Sequence, residues 1–232
     1  MQIEYAMENI NKQVPAVGIR TDEGIVLGAE KKEKQKLRDD THEMGKMFKI
    51  DDHCLCAVSG SIGDANYLIE EARYASQQHF YTYSSHMPVE SIVQALCAEK
   101  HSYTQFGSYR PMGVSLMYAG YDKLRKYQLY SSDPSGNYSS WKAQATGENN
   151  VNAMATLKAD FKEDLTLKDA LKLAIKVVSK SIDTHDPKPE KFEIAYLTQE
   201  EGELVQKELT NEEVTEFLAI LKKEQEDEEK KD

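Results

Sequence analysis

The stretch from Lys46 to Tyr83, KMFKIDDHCLCAVSGSIGDANYLIEEARYASQQHFYTY, decides the fold. Within it Cys54-Leu55-Cys56-Ala57-Val58 is apolar at every position, so this strand offers no polar face and predicts a layer on each side. Ser59-Gly60-Ser61 then ends the strand and opens a helix. A serine can cap the free amides of the first turn, and Asp64 stands where a negative charge meets the positive end of the helix dipole. Ile62, Ala65, Ile69, Ala72, Ser76, Phe80 and Tyr83 recur at helical spacing and give this helix one core-facing stripe. The helix covers one face of the strand, and a second sheet is the expected cover of the other.

Outward toward the N-terminus, Ile3, Met7 and Ile10 predict a short helix within residues 1–12, ended by Pro15. Residues 16–20 and 25–29 read as two strands around the turn Thr21-Asp22-Glu23-Gly24. The charge run at residues 30–38 reads as a solvated loop, since Glu33 and Gln35 interrupt it as a nuclear-localisation signal. Toward the C-terminus, Pro88 is expected at the first position of a second helix, with Val89, Ile92, Val93, Leu96 and Cys97 as its core face and Gly107 as its stop. Strands follow at 113–120, 126–130 and 141–146, with Asp133-Pro134-Ser135-Gly136 as a turn. Val151, Met154, Ala155, Leu157 and Phe161 mark another helix, and Thr166-x-x-Asp169 caps the next. A hairpin over Glu201-Gly202 precedes a capping box, Thr210-x-x-Glu213, and a last helix faced by Val214, Phe217, Leu218 and Leu221.

Strands joined by hairpins and helices in consecutive pairs argue for antiparallel sheets rather than alternating βαβ units. The expected fold is α+β, a four-layer αββα sandwich: two antiparallel sheets face to face, each flanked outside by a helix pair. No linker divides the chain, so residues 1–221 read as one domain and the charged residues 222–232 as a flexible tail.

A net charge of −11 makes nucleic acid or an anionic membrane a poor partner. Cys54, Cys56 and Cys97 all lie in apolar runs and number three, which argues for buried thiols in a reducing compartment, and no apolar run reaches the ~20 residues of a membrane span. Gly60-Ser61-Ile62-Gly63 lacks the Gly-Lys-Ser/Thr ending of a phosphate loop. The six histidines are scattered, and His42 and His53 lack the i,i+4 spacing of a helical metal pair, so no metal or cofactor is expected. Asp51-Asp52 reads as a solvated turn.

Several segments carry a resemblance. Gln2-Ile3-Glu4-Tyr5-Ala6, Tyr103-Thr104-Gln105, Arg110-Pro111-Met112-Gly113-Val114-Ser115 and Asp133-Pro134-Ser135-Gly136 together resemble α-type subunits of the proteasome core particle, over nearly the whole length. The resemblance implies an αββα sandwich of the Ntn-hydrolase kind, in agreement with the layers read from periodicity. It also implies cytoplasmic and nuclear residence in a hetero-oligomer, with other α subunits, β subunits and a regulatory particle or other activator as partners. Catalytic relatives use an N-terminal threonine beside an acid and a lysine. Here Val14 falls at the threonine's place, with Glu30 and Lys46 at the acid and lysine. Valine carries no nucleophile and lies inside the chain without a free amine, so no catalytic residue is expected. The alternative, an active hydrolase of this fold, needs an exposed N-terminal nucleophile.

The resemblance assigns two further roles. Lys46 and Gly60 match the lysine and glycine of a pocket between α subunits that receives activator C-termini, and an ammonium suits a terminal carboxylate. Gln13 and Val14 depart from the small residues frequent at that pocket. Gln2, Glu4 and Tyr5 belong to the subunit interface. In the family the gate comes from residues ahead of the Gln2 motif. Since this sequence starts at that motif, no gating role is carried over.

Overall fold

The computed structural model describes residues 1–31, 45–107, 109–182 and 188–229; the side chains of 225–229 are left aside. The bulk of the charge run, together with Thr41 and His42, lies outside the described residues. In chain order the elements are α1 (Gln2–Ile10), β1 (Ala16–Arg20), β2 (Gly24–Glu30), β3 (Met47–Asp51), β4 (Cys54–Gly60), α2 (Ile62–Tyr83), α3 (Val89–Gln105), β5 (Val114–Asp122), β6 (Lys126–Ser132), β7 (Tyr138–Trp141), β8 (Ala143–Thr146), α4 (Asn150–Asp160), α5 (Leu167–Ser181), β9 (Phe192–Glu200), β10 (Glu203–Glu208) and α6 (Asn211–Glu229).

Two five-stranded antiparallel sheets result. One has the order β10-β9-β2-β1-β8, the other the order β3-β4-β5-β6-β7. The second is a meander contiguous in sequence. The first is assembled from both ends of the chain, with β2 running against β9 through Gly24↔Thr198 to Glu30↔Phe192. As its sequence requires, β4 is buried from Cys54 through Ser59. Its odd and even positions serve different layers. Leu55 and Ala57 join Ala16, Ile25, Leu27, Met117, Ala119 and Leu129 between the sheets. Cys54, Cys56 and Val58 face Ala65, Leu68, Ile69 and Ala72 of α2 and Ile92, Val93 and Leu96 of α3. On the far side α4, α5 and α6 cover the first sheet, through Leu157, Ala174, Val178, Val214 and Leu218 against Val17, Val26 and Ile194. The expected αββα layering therefore holds, with a third helix added to one outer layer.

Local signals act as read. Ser61 caps α2 by accepting from the Asp64 amide, and Thr166 caps α5 by accepting from the Asp169 amide. The Thr210 box is reciprocal, the Thr210 amide giving 2.8 Å to Glu213 Oε2 and the Glu213 amide 3.3 Å to Thr210 Oγ1. Several expectations need correction. Pro88 is the N-cap of α3, not its first helical residue, and α3 ends at Gln105, ahead of Gly107. Helix α1 ends at Ile10, well before Pro15. The stripe of α2 leaves the core after Ser76, with Phe80 45% and Tyr83 68% exposed. Val151 is 77% exposed, while Met154, Leu157 and Phe161 pack on the core as expected and Ala153 joins them. Residues 141–146 form no single strand: β7 ends at Trp141 in one sheet and β8 starts at Ala143 in the other. Lys142 makes the crossing, its carbonyl accepting from the Arg20 amide at 2.8 Å. The charged residues after Leu221 continue α6 to Glu229.

Candidate functional site

The strand registers bring the residues singled out in the sequence to one end of the sandwich. Ala16 opposite Thr146, Glu30 opposite Phe192, Met47 opposite Ala57 and Gly60 opposite Val114 are the terminal pairs there. Short contacts then converge on the segment that joins α1 to β1. Ser59 Oγ donates to the Val14 carbonyl at 3.4 Å, and the Glu30 amide donates to the Pro15 carbonyl at 3.3 Å. The Glu148 amide donates to the Gln13 carbonyl at 2.7 Å. Val14 is therefore a half-buried internal link, held by its backbone, and its side chain offers no nucleophile.

Lys46 stands at the lip of this end. Its amide reaches both oxygens of the Glu193 carboxylate at 2.9 Å, and the Met47 amide reaches Oε1 at 2.8 Å. Its carbonyl takes the Val58 amide at 3.0 Å. A buried carboxylate from β9 thus fixes the Lys46 backbone, since two amides on one carboxylate make strong charge-assisted bonds. The lysine side chain is half-buried.

Gly60 is required where it is. Its φ is +123°, and a Cβ there would stand 2.3 Å from the Gly113 carbonyl oxygen. The Ser61 amide donates to that same oxygen at 2.9 Å, so α2 starts pressed against the approach to β5. Asp64 and Arg110, chosen for separate reasons in the sequence, meet at this point. The guanidinium donates in a fork to both carboxylate oxygens, at 2.8 and 2.7 Å, and the Gly113 amide adds a bond at 2.8 Å. The Arg110 hydrogen bonds hold the Asp64 carboxyl below its ordinary range, against the opposing effect of its partial burial. The fork pins the α2 N-terminus beside Gly60.

Helix α1 lies across the same end, against β4 and β5. Ile10 is its one buried residue, and Gln2, Glu4 and Tyr5 all face outward, with Tyr5 66% and Met7 42% exposed. A cavity of about 250 Å³ beneath it is lined by Met7, Ile10, Ser115, Ser132, Trp141 and Gln144.

Lys100 and Asp51, like Glu193, are buried ionisable groups that the sequence reading missed. Lys100 continues the core face of α3 one turn past Cys97 and is fully buried, its Nζ donating to the Val114 carbonyl at 3.1 Å and to Ser132 Oγ at 2.8 Å. Burial lowers its pKa to about 8. Spacing alone could have found it, as the last member of an i,i+3 row. Asp51, expected in a solvated turn, is only 8% exposed and accepts from Ser76 Oγ at 2.5 Å. Ser76 had been read only as a small core residue.

Two stacked antiparallel sheets between helix layers, with a helix laid across the end where β1 begins, define the Ntn-hydrolase-like class. The chain belongs to the proteasome subunit family, whose model, described as Proteasome subunit, matches residues 11–197. Among curated proteins it is 50% identical to proteasome subunit alpha type-4 of Spinacia oleracea over 194 residues, which cover 84% of this chain and 78% of that protein. It is 50% identical over 199 residues to alpha type-4-A of Arabidopsis thaliana, covering 85% and 80%. With alpha type-4 of Dictyostelium discoideum it shares 46% identity over 229 residues, covering 98% and 92%.

Proposed function

We propose that this chain is a non-catalytic wall subunit of a proteasome α-ring, of the alpha type-4 kind, which contributes to ubiquitin- and ATP-dependent protein degradation through ring assembly and activator docking. The observation that carries the reading is Val14. The Glu30 amide bonds the chain just before β1, but the residue at the nucleophile's place is a valine inside the chain, tied by its carbonyl to Ser59. An N-terminal-nucleophile mechanism needs a hydroxyl or thiol on that residue, with a free amine or water as base, and Val14 supplies neither. The outward face of α1, with Gln2, Glu4 and Tyr5, packs against neighbouring α subunits. The Lys46 and Gly60 lip receives the terminal carboxylate of an activator. The other face of the ring meets β subunits, and the complex works in cytoplasm and nucleus. Among the described residues no helix is long and apolar enough to cross a membrane.

The test has two parts. The purified chain, freed of contaminating core particle, should not cleave fluorogenic peptides, and turnover that survives this purification refutes the non-catalytic reading. Lys46→Ala should enter the ring normally yet bind an activator's C-terminal peptide more weakly at this pocket. Truncating one side of a buried charged pair costs ~2–5 kcal/mol, a loss of at least ~30-fold. Peptide binding like wild type, in a ring whose pocket is occupied, removes Lys46 from the docking mechanism.

A further inference from the structure

The opposite end of the sandwich carries a side-chain cluster outside the site described above. Strand β3 delivers Asp51, the following turn delivers His53, and the connection between α2 and α3 delivers His86. The Asp51 and His53 side chains are 7% and 1% exposed, and His86 is 49% exposed. Asp51 Oδ2 stands 3.5 Å from His53 Nδ1 and 3.6 Å from His86 Nδ1, and the three atoms all lie within 4.8 Å of one another.

The protons identify what this arrangement lacks. His53 Nε2 is 2.7 Å from the Met87 carbonyl oxygen, which can only accept, so Nε2 carries a hydrogen. In the neutral ring Nδ1 is then a bare lone pair. It is buried, has no hydrogen-bond partner, and faces a carboxylate oxygen. Two acceptors in contact away from water repel, and a buried polar atom without a partner is costly. A cation seated between the three atoms relieves this.

We propose that Asp51 Oδ2, His53 Nδ1 and His86 Nδ1 bind a divalent transition-metal ion, zinc by chemical preference, and so tie the β3–β4 turn to the connection between α2 and α3. Two imidazoles and a carboxylate are ordinary zinc ligands, and bonds of about 2.0–2.1 Å in a tetrahedron set ligand atoms about 3.4 Å apart. Two of the three contacts are already close to that spacing. The third closes by rotation of His86, which packs at its ring against His53 and Phe80. The supporting bonds are in place: Met87 fixes the His53 tautomer, while Ser76 Oγ and the Asp52 amide, at 2.5 and 2.7 Å, orient the Asp51 carboxylate. The fourth position opens toward a cavity of about 630 Å³ lined by Phe80, Ser84, Pro88 and Leu124.

The test uses the full chain after removal of metals by chelation, with Co²⁺ and then Zn²⁺ as probes. One equivalent of Co²⁺ should give the visible bands of a four-coordinate nitrogen and oxygen site, bleached by Zn²⁺, and Zn²⁺ should raise the melting temperature. Losing a partner that merely orients a ligand already costs 10–100-fold in affinity, so His86→Ala should weaken zinc binding by about 100-fold or more and abolish the thermal shift. Because His86 is half exposed, this variant leaves the core intact. Asp51→Asn, which keeps an oxygen for Ser76, should also weaken binding. Zinc affinity unchanged in both variants overturns the proposal, as does the absence of stoichiometric binding. Thiolate charge-transfer bands in the cobalt spectrum also overturn it, because they would place the ion on Cys54, Cys56 or Cys97.

Discussion

Two residues are constrained for opposite reasons, and each makes a prediction. At Gly60 an added Cβ meets a carbonyl oxygen at 2.3 Å with φ at +123°, whereas at Gly18 it meets the Met117 sulfur at 2.4 Å and a Leu129 methyl at 2.8 Å. Side chains can turn aside and a backbone carbonyl cannot, so Gly18→Ala is expected to cost about 1 kcal/mol and Gly60→Ala roughly 3 kcal/mol in urea unfolding. Equal losses would show that the carbonyl moves freely. Lys100 gives a pH prediction. Its folded-state pKa near 8 lies below the unfolded lysine value of 10.5. Between those values the unfolded chain holds a proton that the folded one has released, so stability rises with pH across that window and is flat below it. The stability of wild type relative to Lys100→Met should therefore rise from pH 8 to 10.5, by at most roughly 3 kcal/mol. A difference that is constant with pH means that Lys100 keeps its charge when folded. Lys100 was missed in the sequence because a lysine ending an apolar stripe is ordinarily read as reaching solvent. Asp51 and His86 were missed because nothing in one dimension shows that residues 35 apart share a pocket.

Among the elements, α1 and the described residues of α6 after Leu221 have little to hold them. Helix α1 is nine residues long, has no side-chain cap, and buries Ile10 alone. Isolated helices below ~12–15 residues are marginal in water. Its amides should exchange quickly in the free chain and slowly in an assembled ring, and equal protection in both states would contradict the proposed packing. Among the described side chains of α6 the last buried one is Leu221; beyond it the structure places Glu224 in an exposed ion pair with Lys172. Such pairs contribute ~0–1 kcal/mol. Ending the chain after Lys222 should leave the melting temperature within a few degrees of wild type. Helices with capping residues and continuous stripes were legible, as α5 shows from Thr166 to Val178. The break at Lys142 was not. Trp141, Ala143 and Ala145 keep one alternation running, and no glycine or proline interrupts it. The strand divides because the Arg20 amide claims the Lys142 carbonyl, which is a tertiary cause.

For the whole molecule, hairpin turns and paired helices were enough to read two antiparallel sheets, since β4, apolar on both faces, requires a layer on each side. The order of strands within the first sheet was beyond reach, because β2 and β9 are brought together by shared burial rather than by a turn. That pairing bears on how the chain is made. The β1–β2 hairpin leaves the ribosome well ahead of its partner strand, which begins roughly 160 residues later, and at ~5–20 residues per second that delay is about 8–30 s. Throughout it, Ile25 and Leu27 have no finished inner layer and the β2 edge stays open to any strand that meets it. Nascent chains arrested before Phe192 should remain open to protease across the hairpin, and chains extended past β9 and β10 should close it. Synthesis through β9 must therefore precede burial of β1 and β2, which places the chain's greatest exposure to misassembly and its need for a holding factor in the interval before β9 emerges.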